Sequence, residues 1–286
     1  MKVAVCGAGA WGTAMALHCE RQGMDTTLVA RRPEQAAALQ KSRSNHDYLP
    51  GFSFGSRLTV SADVGASLAG ADLAFLGIPS YALRDWCRRI SELNTDLSGG
   101  PVFVSLAKGL ELETHRSPCG IVQDELPEAK VGCLSGPTFA GEVAAGKPTA
   151  MTLAFESLDE SLFRRIQNAI SGPNLRVYAS RDLKGVELGG CLKNVYAIAA
   201  GCCQGLGLGD NALASLLTRA VAEMVRVGQA FGANLETFYG LSGFGDLVAT
   251  CHGDWSRNRT FGEEIAKGRA ASEIISSQKT AVEGYR

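Results

Sequence analysis

Ten residues near the start, "VAVCGAGAWG" (3–12), constrain this chain more than any other stretch. A short β-branched run, "KVAVC", ends in glycines at 7, 9 and 12, and helical spacing begins at once. Gly7 suits a tight turn. Gly9 lets backbone approach a ligand without a side chain in the way, and Gly12 lets a helix pack closely on the strand before it. Amides left free at the helix start, from Ala10 onward, can then meet an anion. A lone GxGxxG is a weak signal in a chain with 34 glycines. Strand before and helix after make it specific for the pyrophosphate of a dinucleotide.

The usual second half of that fingerprint is missing. An acidic residue is expected at the end of the second strand, where it would hold ribose hydroxyls. Ala30-Arg31-Arg32 stands there instead. Two guanidinium groups suit a 2′-phosphate, so NADP is favoured over NAD. The bland alternative is a pair of solvated arginines at a strand end.

Strand and helix signals alternate through the first half. "TTLVA", "DLAFLGIP", "PVFVSL" and "KVGCLSG" read as buried strands, and "TAMTLAF" and "NLRVYA" follow around a helical "LDESLFRRIQNAI". Helices are expected over "GTAMALHCERQG", "RPEQAAALQKS", "SYALRDWCRRISELN" and "THRSPCGIVQDEL". Succession of this kind predicts an α/β fold, a Rossmann-like, doubly wound, mostly parallel sheet. Near residue 182 strand signals stop and long helical segments take over, with Asp210 or Asn211 as a candidate cap. Two domains are expected: 1–182 binding the dinucleotide, and an all-helical 183–286 completing the substrate and catalytic site. The polar stretch 41–57 reads as an irregular loop, long enough to be functional.

Composition narrows the partners. Net charge is −1, and no basic stripe points to nucleic acid or a membrane surface. No apolar run approaches the ~18 residues of a spanning helix. The chain goes straight into a strand, so no secretory leader is expected. Nine cysteines without regular spacing read as buried thiols in a reducing cytoplasm, and four histidines show no metal-ligand spacing.

Several later segments combine glycine turns with polar side chains. Lys108 in "SLAKGLE" and Gly136-Pro137-Thr138 in "LSGPTFAGEV" lie just past strand ends, where ligands of such sheets bind. Asp246 sits in a Gly-rich turn, "GLSGFGDLVATC". Ser256, Arg257 and Asn258 stand at a helix start, a good pocket for a phosphate monoester. In "ELGGCLKNVYAIAAG" a single cation, Lys193, lies among glycines, alanines and aliphatics, none of which can pair with it. A lysine in such a place ordinarily snorkels its head into water.

Taken together and in order, these segments resemble the bacterial-type NAD(P)-dependent glycerol-3-phosphate dehydrogenases, over nearly the whole chain. The resemblance implies reduction of dihydroxyacetone phosphate to sn-glycerol 3-phosphate, a precursor for glycerophospholipid synthesis. It makes Lys193 the catalytic lysine. It places Lys108, Asp246, Arg257 and Asn258 against substrate, with Gly136, Thr138 and Ser256 beside them. On the cofactor side it places Trp11, Arg31, Arg32, Ala140 and Glu283, with Lys108 and Arg257 reaching both ligands. Reducing a ketone needs a proton as well as a hydride. Burial should lower the pKa of Lys193 toward working pH, with Asp246 orienting it. Its small neighbours are expected to admit substrate and nicotinamide closely. A homodimer is expected, with no metal, and in the family several tens of helical residues follow "TAVEGYR".

Two other readings fit parts of the sequence. One is another two-domain dehydrogenase acting on a 3-hydroxyacyl-CoA or 2-ketopantoate. An acyl-CoA enzyme would be expected to use a histidine here, and none lies between His115 and His252. The other is a catalytically silent dinucleotide-binding regulator, whose signature would be loss of the lysine or of the phosphate clamp.

Overall fold

Predominantly apolar runs become central strands, and runs with several exposed positions become edges. In the computed structural model, which describes residues 1–93, 99–253, 255–277 and 282–285, β1 (Lys2–Cys6) opens an eight-stranded sheet. After α1 (Ala10–Arg21) the chain forms β2 (Asp25–Val29), α2 (Pro33–Ser42), a hairpin of β3 (Ser44–Asn45) and β4 (Leu49–Ser53), and then β5 (Leu58–Ser61). It returns through α3 (Val64–Leu68) to β6 (Leu73–Leu76), then α4 (Ser80–Ser91), β7 (Val102–Ser105), α5 (Pro118–Glu125) and β8 (Val131–Ser135). The short α6 (Ala140–Ala144), β9 (Thr149–Ala154), α7 (Glu160–Ile170) and β10 (Leu175–Ser180) complete the sheet. All four residues of β6 and of β7 are buried, as a sheet covered on both faces requires. At the edges, β10 alternates buried with exposed positions along its first four residues, and β5 has a single fully buried residue, Leu58.

The strand order is β10-β9-β8-β7-β6-β1-β2-β5. All pairs are parallel except β8 with β9, where Leu134 faces Leu153 antiparallel. From β1 the chain winds outward to β2 and β5, then crosses back to β6 on the other side. The carboxyl ends of β1 and β6 therefore form the switch point where such sheets bind ligands.

Among the described residues no strand follows β10. Helix α8 (Leu183–Gly205) is capped by Asp182, whose carboxylate accepts from Gly185 N at 3.0 Å. Then come α9 (Asp210–Ala230), α10 (Leu235–Tyr239), a π-helical turn (Leu241–Gly245), α11 (Asp246–His252), α12 (Arg257–Ala266) and α13 (Ala271–Ser277). Helices α8, α9 and α11 share a core that includes Ala197, Leu217, Met224, Phe238 and Leu247. Helix α12 lies against α8 at backbone distance. A Cβ on Gly201 would stand 1.9 Å from the Arg259 carbonyl, and one on Gly262 would stand 2.0 Å from that of Ile198.

Four details differ from the sequence reading. Residues 41–57 are not irregular throughout, because β3 and β4 form there. The edge strand β5 carried too few apolar residues to be read. Helix α9 starts on Gly209 at φ 81°, with Asp210 inside its first turn, where it faces the helix dipole rather than capping it. Helix α5 begins only at Pro118, because Ser117 caps it and His115 turns the chain at φ 56°. The end of the expected helix 80–94 falls outside the described residues at Asn94. All nine cysteines are free thiols. Among the described residues no helix is long and apolar enough to cross a membrane, and no His, Cys, Asp and Glu cluster could hold a metal.

Candidate active site

The Gly-rich turn sits at the switch point, and each glycine has its own reason. Gly7 adopts φ 108°, and a Cβ there would meet the Gly77 carbonyl at 2.4 Å, just past β6. A Cβ on Gly12 would lie 1.9 Å from the Gly7 carbonyl. Above Gly9 there is nothing within 4 Å. Gly9 is also the N-cap of α1, so the amides of Ala10, Trp11 and Gly12 open into that space. A pyrophosphate fits this cradle: backbone donors at a helix start and room where a side chain would be. Trp11 packs on the core beside it, its indole Nε1 buried and unpaired among the described residues. Arg31 and Arg32 are exposed past the end of β2, and no carboxylate among the described residues pairs with them. Ala140 begins α6.

A second centre forms where α8, the π-helical turn and the ends of β7 and β8 meet. Lys193, 7% exposed, projects from the middle of α8. Asp246, 2% exposed, is the first residue of α11. The sequence suggested a Gly-rich turn for Asp246. In fact the wider π-helical turn, closed by Gly245 N on the Gly240 carbonyl at 3.1 Å, delivers it into a helix start facing α8. Lys193 Nζ donates to Asp246 Oδ1 at 3.0 Å and to Thr250 Oγ1 at 2.7 Å. Lys108 Nζ, arriving from beyond β7, donates to Asp246 Oδ2 at 2.6 Å and to the Gly136 carbonyl at 2.9 Å. One carboxylate thus holds two ammonium groups. Each ammonium has three N–H groups and spends two of them on these partners.

Electrostatics follow from this packing. Burial is the largest influence on Lys193 and lowers its pKa, Asp246 opposes that, and Lys108 reinforces it. Burial disfavours the charge on Asp246, but the two lysines outweigh it and hold the carboxyl below its ordinary range. Glu283, partly buried nearby, is raised by burial against the pull of Arg257, Lys193 and Lys108.

The backbone crossing of α8 and α12 brings the α12 start to the same place. Ser256 caps α12 by accepting from Arg259 N at 3.2 Å. Asn258 Nδ2 donates to Asn194 Oδ1 at 2.9 Å, and its Oδ1 accepts from Gly284 N at 3.0 Å. Arg257 is exposed at this helix start. Thr138 donates to the Gly136 carbonyl at 3.1 Å. The structure therefore gathers Lys108, Gly136, Thr138, Lys193, Asp246, Ser256, Arg257, Asn258 and Glu283. The Gly-rich turn and the two strand-end arginines form a second group, past the carboxyl ends of β1 and β2 in the same sheet.

Two of the small neighbours of Lys193, Gly189 and Gly190, face protein. A Cβ on Gly189 would meet the Ser242 carbonyl at 2.7 Å, and one on Gly190 would meet Ser135 Oγ at 2.8 Å. Their smallness lets α8 seat against the π-helical turn and β8. Three residues escaped the sequence reading. Thr250 holds the ammonium of Lys193. Asn194, 3% exposed, donates to the Lys108 carbonyl at 2.8 Å and so ties three segments. Arg259 is buried and braces α12 through the Gly253 carbonyl, Gln204 and Glu263. Thr250 stands four residues after Asp246, one helical turn, and that spacing was the available signal.

Known proteins point the same way as this geometry. The sequence model described as NAD-dependent glycerol-3-phosphate dehydrogenase N-terminus matches residues 2–161, and the corresponding C-terminus model matches 182–286. A glycerol-3-phosphate dehydrogenase [NAD(P)+] from Syntrophotalea carbinolica is 44% identical over 100% of this chain and 85% of its own. One from Thermus thermophilus is 49% identical over 94% of this chain and 80% of its own. The crystal structure of glycerol-3-phosphate dehydrogenase from Coxiella burnetii superposes with a TM-score of 0.93 at 37% identity, covering 99% of this chain and 86% of that one. With its dinucleotide turn at the switch point and a buried lysine held by a shared carboxylate, the chain belongs to the NAD-dependent glycerol-3-phosphate dehydrogenase family.

Proposed function

We propose that this chain reduces dihydroxyacetone phosphate to sn-glycerol 3-phosphate with NADPH or NADH. The observation that carries the reading is the position of Lys193 Nζ, buried between Asp246 and Thr250 with one N–H left over. A bound nicotinamide supplies the hydride that the C2 carbon accepts. The remaining N–H of Lys193 polarises the C2 carbonyl and then donates its proton to the developing alkoxide. A lysine whose pKa is lowered by burial gives up that proton more readily than an exposed one. In the oxidising direction the neutral amine takes it back. Asp246 holds Lys193 and Lys108 in register. Arg257, with Asn258, Ser256 and the α12 amides, receives the phosphate, aided by Lys108 with Gly136 and Thr138. Fixing both ends of a three-carbon substrate makes the step effectively unimolecular.

On the cofactor side, Gly7, Gly9, Ala10, Trp11 and Gly12 line the pyrophosphate cradle, Arg31 and Arg32 meet the adenosine end, and Ala140, Lys108, Arg257 and Glu283 border the nicotinamide. The division of labour falls at 182/183: residues 1–182 bind the dinucleotide and 183–286 supply the proton donor and phosphate clamp. Exposed Val195, Leu206, Leu208 and Phe231 on the helical half support a homodimer. Nine free thiols support a reducing, cytoplasmic setting, where the product would serve glycerophospholipid synthesis.

The deciding assay follows loss of reduced-nicotinamide absorbance with dihydroxyacetone phosphate, run separately with NADH and NADPH. Oxidation dependent on the ketone phosphate is expected. Turnover of 2-ketopantoate or a 3-ketoacyl-CoA in its place would assign the chain to another dehydrogenase, and dinucleotide binding without any turnover would make it a regulator.

A further inference from the structure

The stretch 41–57 carries one residue whose burial has no packing reason. Asn45, on β3, is 1% exposed. Its side-chain nitrogen donates to the Ala8 carbonyl at 3.0 Å and to Thr13 Oγ1 at 2.8 Å. A carbonyl only accepts, so the amide orientation is fixed: nitrogen toward the turn, one hydrogen for each partner. Ala8 is the middle residue of the Gly7-Ala8-Gly9 turn, and Thr13 lies in the first turn of α1. Asn45 therefore bridges the turn to the helix that follows it.

The peptide between Ala8 and Gly9 is trans, as are all the described peptides. Its C=O and N–H point in opposite directions. Holding the Ala8 carbonyl toward the β3–β4 hairpin thus aims Gly9 N–H away from it, and no hydrogen bond among the described residues uses that N–H. Two further polar groups of the turn are tied down: Gly7 N donates to the Val29 carbonyl at 2.8 Å, and the Gly9 carbonyl accepts from Thr13 N at 3.0 Å. A flip of the Ala8–Gly9 peptide, eased by the glycine that follows it, would turn an oxygen toward a bound phosphate. Asn45 resists that flip.

The hairpin holds Asn45 in return. Asn45 pairs with Leu49 across β3 and β4, and Ser44 pairs with Ser53. Leu49 and Phe54, 5% and 6% exposed, anchor the two ends of the hairpin in the sheet core. Arg43 turns the chain out of α2 at φ 52°, and its carbonyl accepts from Phe54 N at 2.7 Å.

We propose that Asn45 is a positioning residue for the dinucleotide, fixing the Ala8–Gly9 peptide so that Gly9 N–H faces the pyrophosphate. The inference rests on reading the Gly7–Gly12 turn as the pyrophosphate site. Its test is calorimetric binding to the full chain with three ligands: NADPH, ADP-ribose, which carries the pyrophosphate, and adenosine, which lacks it. Asn45→Asp replaces the donor with an oxygen facing the Ala8 carbonyl. NADPH and ADP-ribose should bind about tenfold more weakly, the scale of one lost charge-assisted hydrogen bond, and adenosine should change by less than about twofold. Unchanged ADP-ribose affinity, or equal losses for ADP-ribose and adenosine, would overturn the proposal, since a general loosening of the fold moves both alike. If Asn45→Asp does not fold, Thr13→Val removes one of the two anchors. It should weaken ADP-ribose by about threefold and spare adenosine, and no such difference would count equally against it. Gly9→Val separates this inference from the reading beneath it. Should Gly9→Val bind NADPH normally, the turn is not the pyrophosphate site. Should it lose NADPH while Asn45→Asp keeps it, only the role of Asn45 falls.

Discussion

The dinucleotide turn and the lysine centre solve opposite problems by opposite means. The turn is made of backbone. Its donors are amides, its shape comes from three missing side chains, and the groups proposed to face the ligand all lie within residues 7–12. The lysine centre is made of side chains drawn from six segments, and its order comes from a carboxylate shared between two cations. Backbone recognition suits a ligand whose charge never changes. Side-chain recognition suits a group that must gain and lose a proton, because only titratable side chains can be tuned by burial and neighbours.

That contrast can be broken most sharply at Lys193. Lys193→Met should lower kcat for ketone reduction by about a thousandfold while NADPH affinity stays within about twofold, measured by steady-state kinetics and calorimetry. Comparable loss of cofactor affinity would mean that the two centres are not separate. Asp246→Asn comes next. It leaves two buried ammonium groups without their counter-charge, so kcat should fall about a hundredfold and the folded state should lose about 3 kcal/mol in urea titration. The same variant sharpens the proton argument. The proposed role makes charged Lys193 the proton donor in reduction, so kcat/KM should fall as pH rises through its pKa, which burial sets below the ordinary 10.5. Asp246 raises that pKa, so Asp246→Asn should move the fall to lower pH. An unmoved profile would assign the titration to another group.

Smaller effects test the edges of each centre. Replacing Arg31 and Arg32 together with glutamine should raise KM for NADPH about tenfold and leave KM for NADH within about twofold, since surface guanidinium contacts to a phosphate are modest singly. Equal effects on both cofactors would show that these arginines do not read the 2′-phosphate. Thr250→Val removes one neutral acceptor from Lys193 and should cost about fivefold in kcat, the weight of about 1 kcal/mol. A loss as large as that of Asp246→Asn would promote Thr250 from support to partner.

The same contrast explains what could be read from sequence. The three glycines of the turn lie within six residues and obey local rules, so Gly7, Gly9 and Gly12 could be assigned roles one by one, whereas Asn45, 37 positions from Ala8, could not. The strands of the inner sheet were legible because full burial leaves continuous apolar runs such as "LAFL" and "VFVS". The edge strand β5, "LTVS", was not, since two apolar residues in a four-residue strand are too few to stand out from loop. At the lysine centre, 53 positions separate Lys193 from Asp246 and 138 separate Lys108 from Asp246. No spacing rule reaches that far, and only resemblance to a family brought them together. Asn194 and Thr250 show the limit of both approaches. Each is an ordinary helical polar residue until the fold puts a lysine or a second helix against it. The glycines of "ELGG" show a different failure: their smallness was visible, but what they make room for is protein, not ligand.

The meeting of α8 and α12 at Gly201 and Gly262 has a metrical consequence. No side chain stands between the two helices there, so no rotamer change can alter their separation. The phosphate clamp proposed on α12 and the proton donor proposed on α8 then sit at the two ends of a fixed gauge. A ketone phosphate one carbon longer would present its oxygen past the mark, and no flexible side chain at the crossing could take up the difference. Selection by chain length would, in this protein, be written into the closeness of two backbones.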